Sequence, residues 1–144
     1  MKKCKDVMTK DVVTCTPQTP ITEVARMMKS EDIGPVLVVD NNDSRTLVGI
    51  ITDRDIVLKV VAEGKDPRTS RVEEAMSKKL VTCRPDDSVD IAMKAMAQYQ
   101  LRRIPVVDEK MKLLGIISQA DLATRVDEPE KTGEVVREIS EQTA

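Results

Sequence analysis

With 144 residues, 40% of them hydrophobic and 33% charged, the chain has the balance of a soluble globular protein, the length of one ordinary domain or two small repeats. Its 23 basic and 25 acidic residues leave a net charge of −2, no electrostatic footprint for duplex nucleic acid or anionic lipid. His, Phe and Trp are absent and Tyr99 is the one aromatic residue, which removes His general bases, Ser–His pairs and His-ligated metals and argues against an aromatic platform for single-stranded nucleic acid. No apolar run approaches the roughly 20 residues of a membrane span, and no apolar signal core follows Met1-Lys2-Lys3, so the expected location is the cytoplasm.

The chain repeats itself. Residues 6–40 align with 74–108 at a shift of 68, and 49–55 with 115–121 at a shift of 66; of these 42 aligned positions 14 are identical. Each copy reads β-α-β-β-α. A short strand (12–15; 80–83) stops before Pro17 or Pro85. The next helix carries an apolar stripe at Ile21, Val24, Ala25 and Met28, or at Val89, Ala92, Met93 and Met96, the i, i+3, i+4, i+7 spacing of one helical face. An apolar strand follows at 36–39 or 104–107. A polar turn joins it to a third strand ending at Ile51 or Ile117, and a second helix starts at Asp53 or Gln119. The class is therefore α/β (α+β), two β-α-β-β-α repeats related by a pseudo-two-fold axis. One repeat of about 55 residues buries too little surface to stand alone, so a shared core is expected. The boundaries read as 1–66 for repeat one with its lead-in and linker, 67–126 for repeat two, and 127–144 for a charged tail in which Val135, Val136 and Ile139 would line a short helix.

The sharpest motif is Gly49-Ile50-Ile51-Thr52-Asp53-Arg54-Asp55, repeated as Gly115-Ile116-Ile117-Ser118-Gln119-Ala120-Asp121. Thr52 with Asp55, and Ser118 with Asp121, have the spacing of a capping box, which explains hydroxyl and carboxylate with no ligand at all. The same geometry suits a nucleotide. A helix N-terminus and a hydroxyl can hold phosphate, a carboxylate three residues on can accept both ribose hydroxyls, and aliphatic strand residues leave an apolar slot for a purine.

These residues, with the strands ending Val38-Val39-Asp40 and Val106-Val107-Asp108, resemble the CBS domain, and two copies resemble a tandem CBS pair, or Bateman module, over residues 5–126. The stretch 52–67 is similar to small two-CBS proteins of prokaryotes, including the hypoxic response protein group. The resemblance implies a regulatory, non-catalytic module with no obligatory cofactor and no metal. It implies an adenosyl ligand (AMP, ADP, ATP, S-adenosylmethionine, sometimes NAD) between the repeats, a flat homodimer and an unidentified regulated protein. It gives Asp55 and Asp121 the ribose hydroxyls, Thr52 and Ser118 the phosphate, and the backbone at Val13 and Val81 the adenine. Arg102 and Arg103 match the family's basic residue before the second strand of the motif. Repeat one has Gly34 and Pro35 there, with Arg54 as its nearest substitute, and Leu37 where repeat two has the family's Pro105. Two unequal clefts follow, with the one around Ser118, Asp121 and Arg103 taking the more phosphorylated ligand.

Two other readings compete. One is a ligand-free structural or protein-interaction module whose motifs are only caps. The other is a thiol redox protein using Cys15 and Cys83, against which stands the ordinary reading of both as small buried strand residues. Cys4, near the N-terminus, is expected to be exposed and the more reactive thiol.

Overall fold

The computed structural model describes residues 2–125, so the expected tail at 127–144 and its helix lie outside the described residues. In chain order the elements are α1 (Cys4–Val7), β1 (Thr14–Cys15), α2 (Ile21–Glu31), β2 (Val36–Val39), β3 (Leu47–Ile51), α3 (Asp53–Ile56) continued by a π-helical turn over Val57–Val61, a 3-10 turn at Val72–Glu74, α4 (Val89–Tyr99), β4 (Arg103–Val107), β5 (Leu113–Ser118) and α5 (Gln119–Arg125). The fold is α+β, and the β-α-β-β-α order appears in both halves.

Residues 13–80 form one compact unit, and residues 2–12 with 81–125 the other. This crosses the boundary drawn at 66/67 from the repeats. The lead-in, counted there with repeat one, packs on the unit of repeat two, and 67–80 pack on the unit of repeat one. The physical reason is missing apolar surface. Cys4 and Val7 complete a cluster with Val89, Met93, Met96, Ile104, Ile117 and Leu122. Val72 and Ala75 do the same for Ile21, Val24, Val36, Val38 and Ile51. Each repeat thus borrows the other's lead-in, and each unit has a buried apolar cluster of its own.

In the 13–80 unit β1 lies parallel to β2, and β2 antiparallel to β3, in the order β1-β2-β3. In the other unit β4 and β5 form the matching antiparallel pair, with the same register shift after Val38 and after Val106. The first strand is shorter than the sequence suggests: two residues in β1, and in the second repeat a single parallel bridge, Cys83 to Val106. Pro105 is the cause. Leu37 has an N–H at the place where Pro105 has none, so Pro105 cannot extend the parallel ladder beyond Cys83.

Ile21, Val24 and Met28 are buried as their spacing predicts, but Ala25 is exposed, whereas Met93 at the same place in α4 is buried. Both long helices end in a left-handed residue, Asp32 (φ 53°) and Gln100 (φ 57°). The next N–H turns back on the helix, Ile33 to the Met28 carbonyl (3.0 Å) and Leu101 to the Met96 carbonyl (2.8 Å), which seats Ile33 and Leu101 against the cores.

Candidate functional site

In the unit that holds repeat two, β5 alternates buried and half-buried residues and delivers Ser118 to the strand end, where α5 starts. The Ser118 N–H donates to Asp121 Oδ2 (2.9 Å), the Asp121 N–H donates to Ser118 Oγ (3.2 Å), and Ser118 Oγ donates to Asp121 Oδ2 (3.1 Å). A residue the sequence did not single out completes the site: Thr9 Oγ1 of the lead-in donates to Asp121 Oδ1 at 3.1 Å. Asp121 is consequently 9% exposed. Thr9 reaches it because the lead-in runs along the outer edge of β5, bridged to Ile116.

Arg103 stands directly opposite Ser118 in the β4–β5 ladder. Opposite residues of an antiparallel pair project to the same face, about 5 Å apart at Cβ, so the exposed guanidinium and the capping hydroxyl share one face. The neighbouring Arg102 carbonyl accepts the Gln119 N–H at 3.1 Å, which ties the two arginines to the start of α5. The Gln119 side-chain Nε2 is buried with no hydrogen-bond partner.

The 13–80 unit repeats the box with different neighbours. The Thr52 N–H donates to Asp55 Oδ2 (2.9 Å), and the Asp55 N–H donates to Thr52 Oγ1 (3.1 Å). Here Asp55 Oδ1 faces an ammonium, Lys59 Nζ at 3.2 Å, which also donates to the Ala75 carbonyl at 3.0 Å. Lys59 stands four residues after Asp55, a spacing that could have revealed it. Where repeat two has Arg102 and Gln119, this unit has Gly34 and Asp53. A Cβ built on Gly34 would meet Asp53 Oδ1 at 3.3 Å, and that oxygen accepts the Arg54 N–H. Arg54 itself is exposed. One box therefore has two arginines and an amide as neighbours, the other a lysine paired with its own carboxylate and an extra carboxylate at Asp53.

Val13 and Val81 are half-buried against the cores of their own units. The cysteines depart from expectation. Cys4 is buried, not exposed, because α1 turns it into the core. Cys15 and Cys83 fall in different units. Burial, with Glu23 nearby, pushes the Cys15 thiol up to about 12. Its hydrogen bond to Cys4 and burial also raise Cys83 well above the ordinary thiol range. Neither is a ready nucleophile.

A family model for the CBS domain matches residues 4–62 and again 72–128. Protein YlbB of Bacillus subtilis is 43% identical over 141 residues, 98% of this chain and 93% of that protein. Hypoxic response protein 1 of Mycobacterium tuberculosis is 32% identical over 128 residues, 89% of this chain and 87% of that protein. A crystal structure of Hypoxic Response Protein I with two coordinated zinc ions aligns with a TM-score of 0.73 at 33% identity, covering 85% of this chain and 98% of that one. Among the described residues of this chain no three Cys, Asp or Glu side chains gather to hold a metal. The CBS pair of protein MJ0100, solved with 5'-methylthioadenosine and S-adenosylmethionine, aligns with a TM-score of 0.70 at 28% identity, covering 85% of this chain and 94% of that one.

Proposed function

Because the chain belongs to the CBS-domain family and carries two copies of that domain, we propose that it is a regulatory module whose two boxes each take part in binding an adenosyl ligand. In this reading Asp121 and Asp55 accept ribose hydroxyls, Ser118 and Thr52 meet phosphate, and the backbone at Val81 and Val13 meets the adenine. The observation that carries it is the strand-end hydroxyl and carboxylate box in both units, with Arg103 opposite Ser118 in only one of them. A carboxylate has about four lone-pair sites, and Asp121 already accepts from the Ser118 N–H, the Ser118 hydroxyl and the Thr9 hydroxyl, so in this reading the ribose hydroxyls take over places that hydroxyls of the chain now fill. Arg103, Arg102 and Gln119 favour an anionic phosphate chain at the second box. Asp53 opposes one at the first, which suits a less phosphorylated or cationic adenosyl ligand such as S-adenosylmethionine. Regulation follows when the ligand binds two states of the module unequally, which is what shifts their populations and the affinity for a regulated protein.

A second reading has its own observation: both carboxylates already satisfy their caps inside the chain, so the boxes stand without a ligand. A thermal-shift panel with AMP, ATP, S-adenosylmethionine and NAD separates the two. A ligand at 100 times its Kd adds about 2.7 kcal/mol of stability. We expect a clear upward shift with at least one of the four; a well-folded chain that moves with none of them is a structural module.

No helix among the described residues is long and apolar enough to cross a membrane. The location that accompanies this reading is the cytoplasm, where adenosyl ligands are available. Val57, Leu58 and Val61 stay 55%, 47% and 61% exposed on the turns after α3, and Ile91 and Tyr99 are half-exposed on α4. Such surface on a small protein suits a homodimer. Light scattering is expected to give twice the chain mass, and a Val61→Glu chain to give a monomer.

A further inference from the structure

Both box carboxylates are tied to the segment that crosses the edge of their own sheet, but by unlike groups. In the unit of repeat two, Thr9 is bridged to Ile116 and its hydroxyl donates to Asp121 Oδ1 at 3.1 Å. In the 13–80 unit Ser77 is bridged to Ile50 in the same way, yet its hydroxyl accepts the Lys79 N–H instead. Lys59 makes the tie there. Its ammonium lies 3.2 Å from Asp55 Oδ1 and donates to the Ala75 carbonyl at 3.0 Å.

Ala75 belongs to residues 72–77, from which the chain runs on into the second repeat. Val72 and Ala75 are buried in the core cluster, and Ser77 exchanges two hydrogen bonds with Ile50 (2.8 and 2.9 Å). Among the described residues the Ala75 carbonyl accepts from Lys59 alone. A buried backbone acceptor with one donor is sensitive to the loss of that donor. Lys59 is the movable member: Val60 beside it is fully buried and fixes the turn, while the Lys59 side chain is 45% exposed.

We propose that Lys59 passes the state of the Asp55 carboxylate to residues 72–77, so that a ligand in the first box loosens the start of the second repeat. The proposal rests on the reading of Asp55 as an acceptor of ribose hydroxyls. Asp55 Oδ2 already accepts the Thr52 N–H, so a ribose comes to Oδ1, the oxygen that Lys59 holds. Hydroxyls there weaken the pull of the carboxylate on the ammonium. An exposed ion pair is held only weakly against water, so little is needed to release it. Once released, the ammonium has one anchor in place of two, and the Ala75 carbonyl no longer has a fixed donor. The Ala75 and Met76 amides, both bonded to the Val72 carbonyl (3.0 and 2.9 Å), and the Ser77 amide then open more often. By linkage the effect runs both ways: whatever removes Lys59 from Asp55 strengthens the ligand.

Hydrogen exchange followed by mass spectrometry on the full chain tests this, first with no ligand. Lys59→Met keeps the stem and removes the ammonium. Asp55→Asn keeps an acceptor for the Thr52 N–H and turns an amide NH2 toward Lys59. Each should speed exchange across 72–78 by about fivefold, the size of one lost hydrogen bond, and the double variant should add nothing. Lys59→Arg should stay near the wild type. If Lys59→Met does not fold, Lys59→Gln takes its place. With saturating AMP or S-adenosylmethionine, exchange across 72–78 should rise in the wild-type chain and not in Lys59→Met, which should bind the ligand more tightly.

Wild-type exchange in Lys59→Met or in Asp55→Asn overturns the proposal. So do unchanged or slower exchange across 72–78 in the liganded wild type, an equal ligand response in Lys59→Met, and weaker binding by that variant. If neither ligand raises the melting temperature of the wild-type chain, the ligand reading fails, and the ligand-free comparison alone decides whether Lys59 links Asp55 to 72–78.

Discussion

Gly115→Ala is expected to destabilise the chain by about 3 kcal/mol, the upper end for one methyl forced into a packed site. Gly115 opens the motif strand, and the lead-in crosses directly over it. A Cβ there would stand 2.8 Å from the Met8 sulfur and 2.8 Å from the Thr9 carbonyl oxygen. A methionine tip can move aside. The Thr9 carbonyl cannot move cheaply, because it accepts the Ile116 N–H (3.0 Å) while the Thr9 N–H donates to the Ile116 carbonyl (2.9 Å). Relief means breaking that bridge and lifting Thr9 from Asp121. Urea unfolding should therefore show a lower midpoint, with a melting temperature lower by roughly 10 °C. Gly49→Ala meets the same obstacle, the Ser77 carbonyl at 2.8 Å, and is expected to cost nearly as much. Alanine at either position with wild-type stability would mean that the lead-ins do not lie over the sheet edges.

The contrast between these glycines and their surroundings marks what the sequence could disclose. The Gly-Ile-Ile strand and the hydroxyl and carboxylate three residues apart are local patterns, and β3, β5 and both boxes stand where the spacing puts them. The partner that makes each glycine necessary is not local. Thr9 and Ile116 are far apart in the chain, and nothing in the lead-in's own pattern says which sheet edge it covers. Cys4 follows the same logic: close to the N-terminus it reads as exposed, until α1 docks and buries it. Thr9 and Ser77 hold equivalent places in the repeat, yet only Thr9 donates to the box carboxylate. In the other unit Lys59 takes that role, a substitution legible from its i+4 spacing but only once the hydroxyl is known to be absent there. Pro105 did carry its message openly. The missing N–H that sets it apart from Leu37 is what reduces a strand to one bridge.

Those unequal partners predict unequal losses when the carboxylates are removed. Asp121→Ala deletes a cap, worth about 1 kcal/mol. It also strands the Ser118 N–H and the Thr9 hydroxyl in a place with little water, at about 1–3 kcal/mol for an unsatisfied buried group. The expected total is about 3 kcal/mol. Asp55→Ala deletes the same cap, but its side chain is 19% exposed and its remaining partner, Lys59, is 45% exposed. Such a pair contributes about 0–1 kcal/mol and water can replace it, so about 1 kcal/mol is expected. Stability alone would thus make Asp121 look purely structural, and the ligand measurement needs a milder change. Asp121→Asn keeps the volume and one acceptor oxygen but loses the charge and half the acceptor capacity that a ribose diol needs. A folded Asp121→Asn chain should lose most of the thermal shift given by the more phosphorylated ligand, while Asp55→Asn leaves that shift in place. Thr9→Val supplies the opposite control. It removes the Thr9 hydrogen bond to Asp121 Oδ1, at a cost of about 1 kcal/mol for one lost hydrogen bond, and should keep the ligand response. If Asp121→Asn and Thr9→Val respond to ligand equally, the carboxylate is a cap and nothing more. If only Thr9→Val responds, the same oxygens that hold the helix start also hold the ligand, which would couple occupancy of the site to the seating of the lead-in.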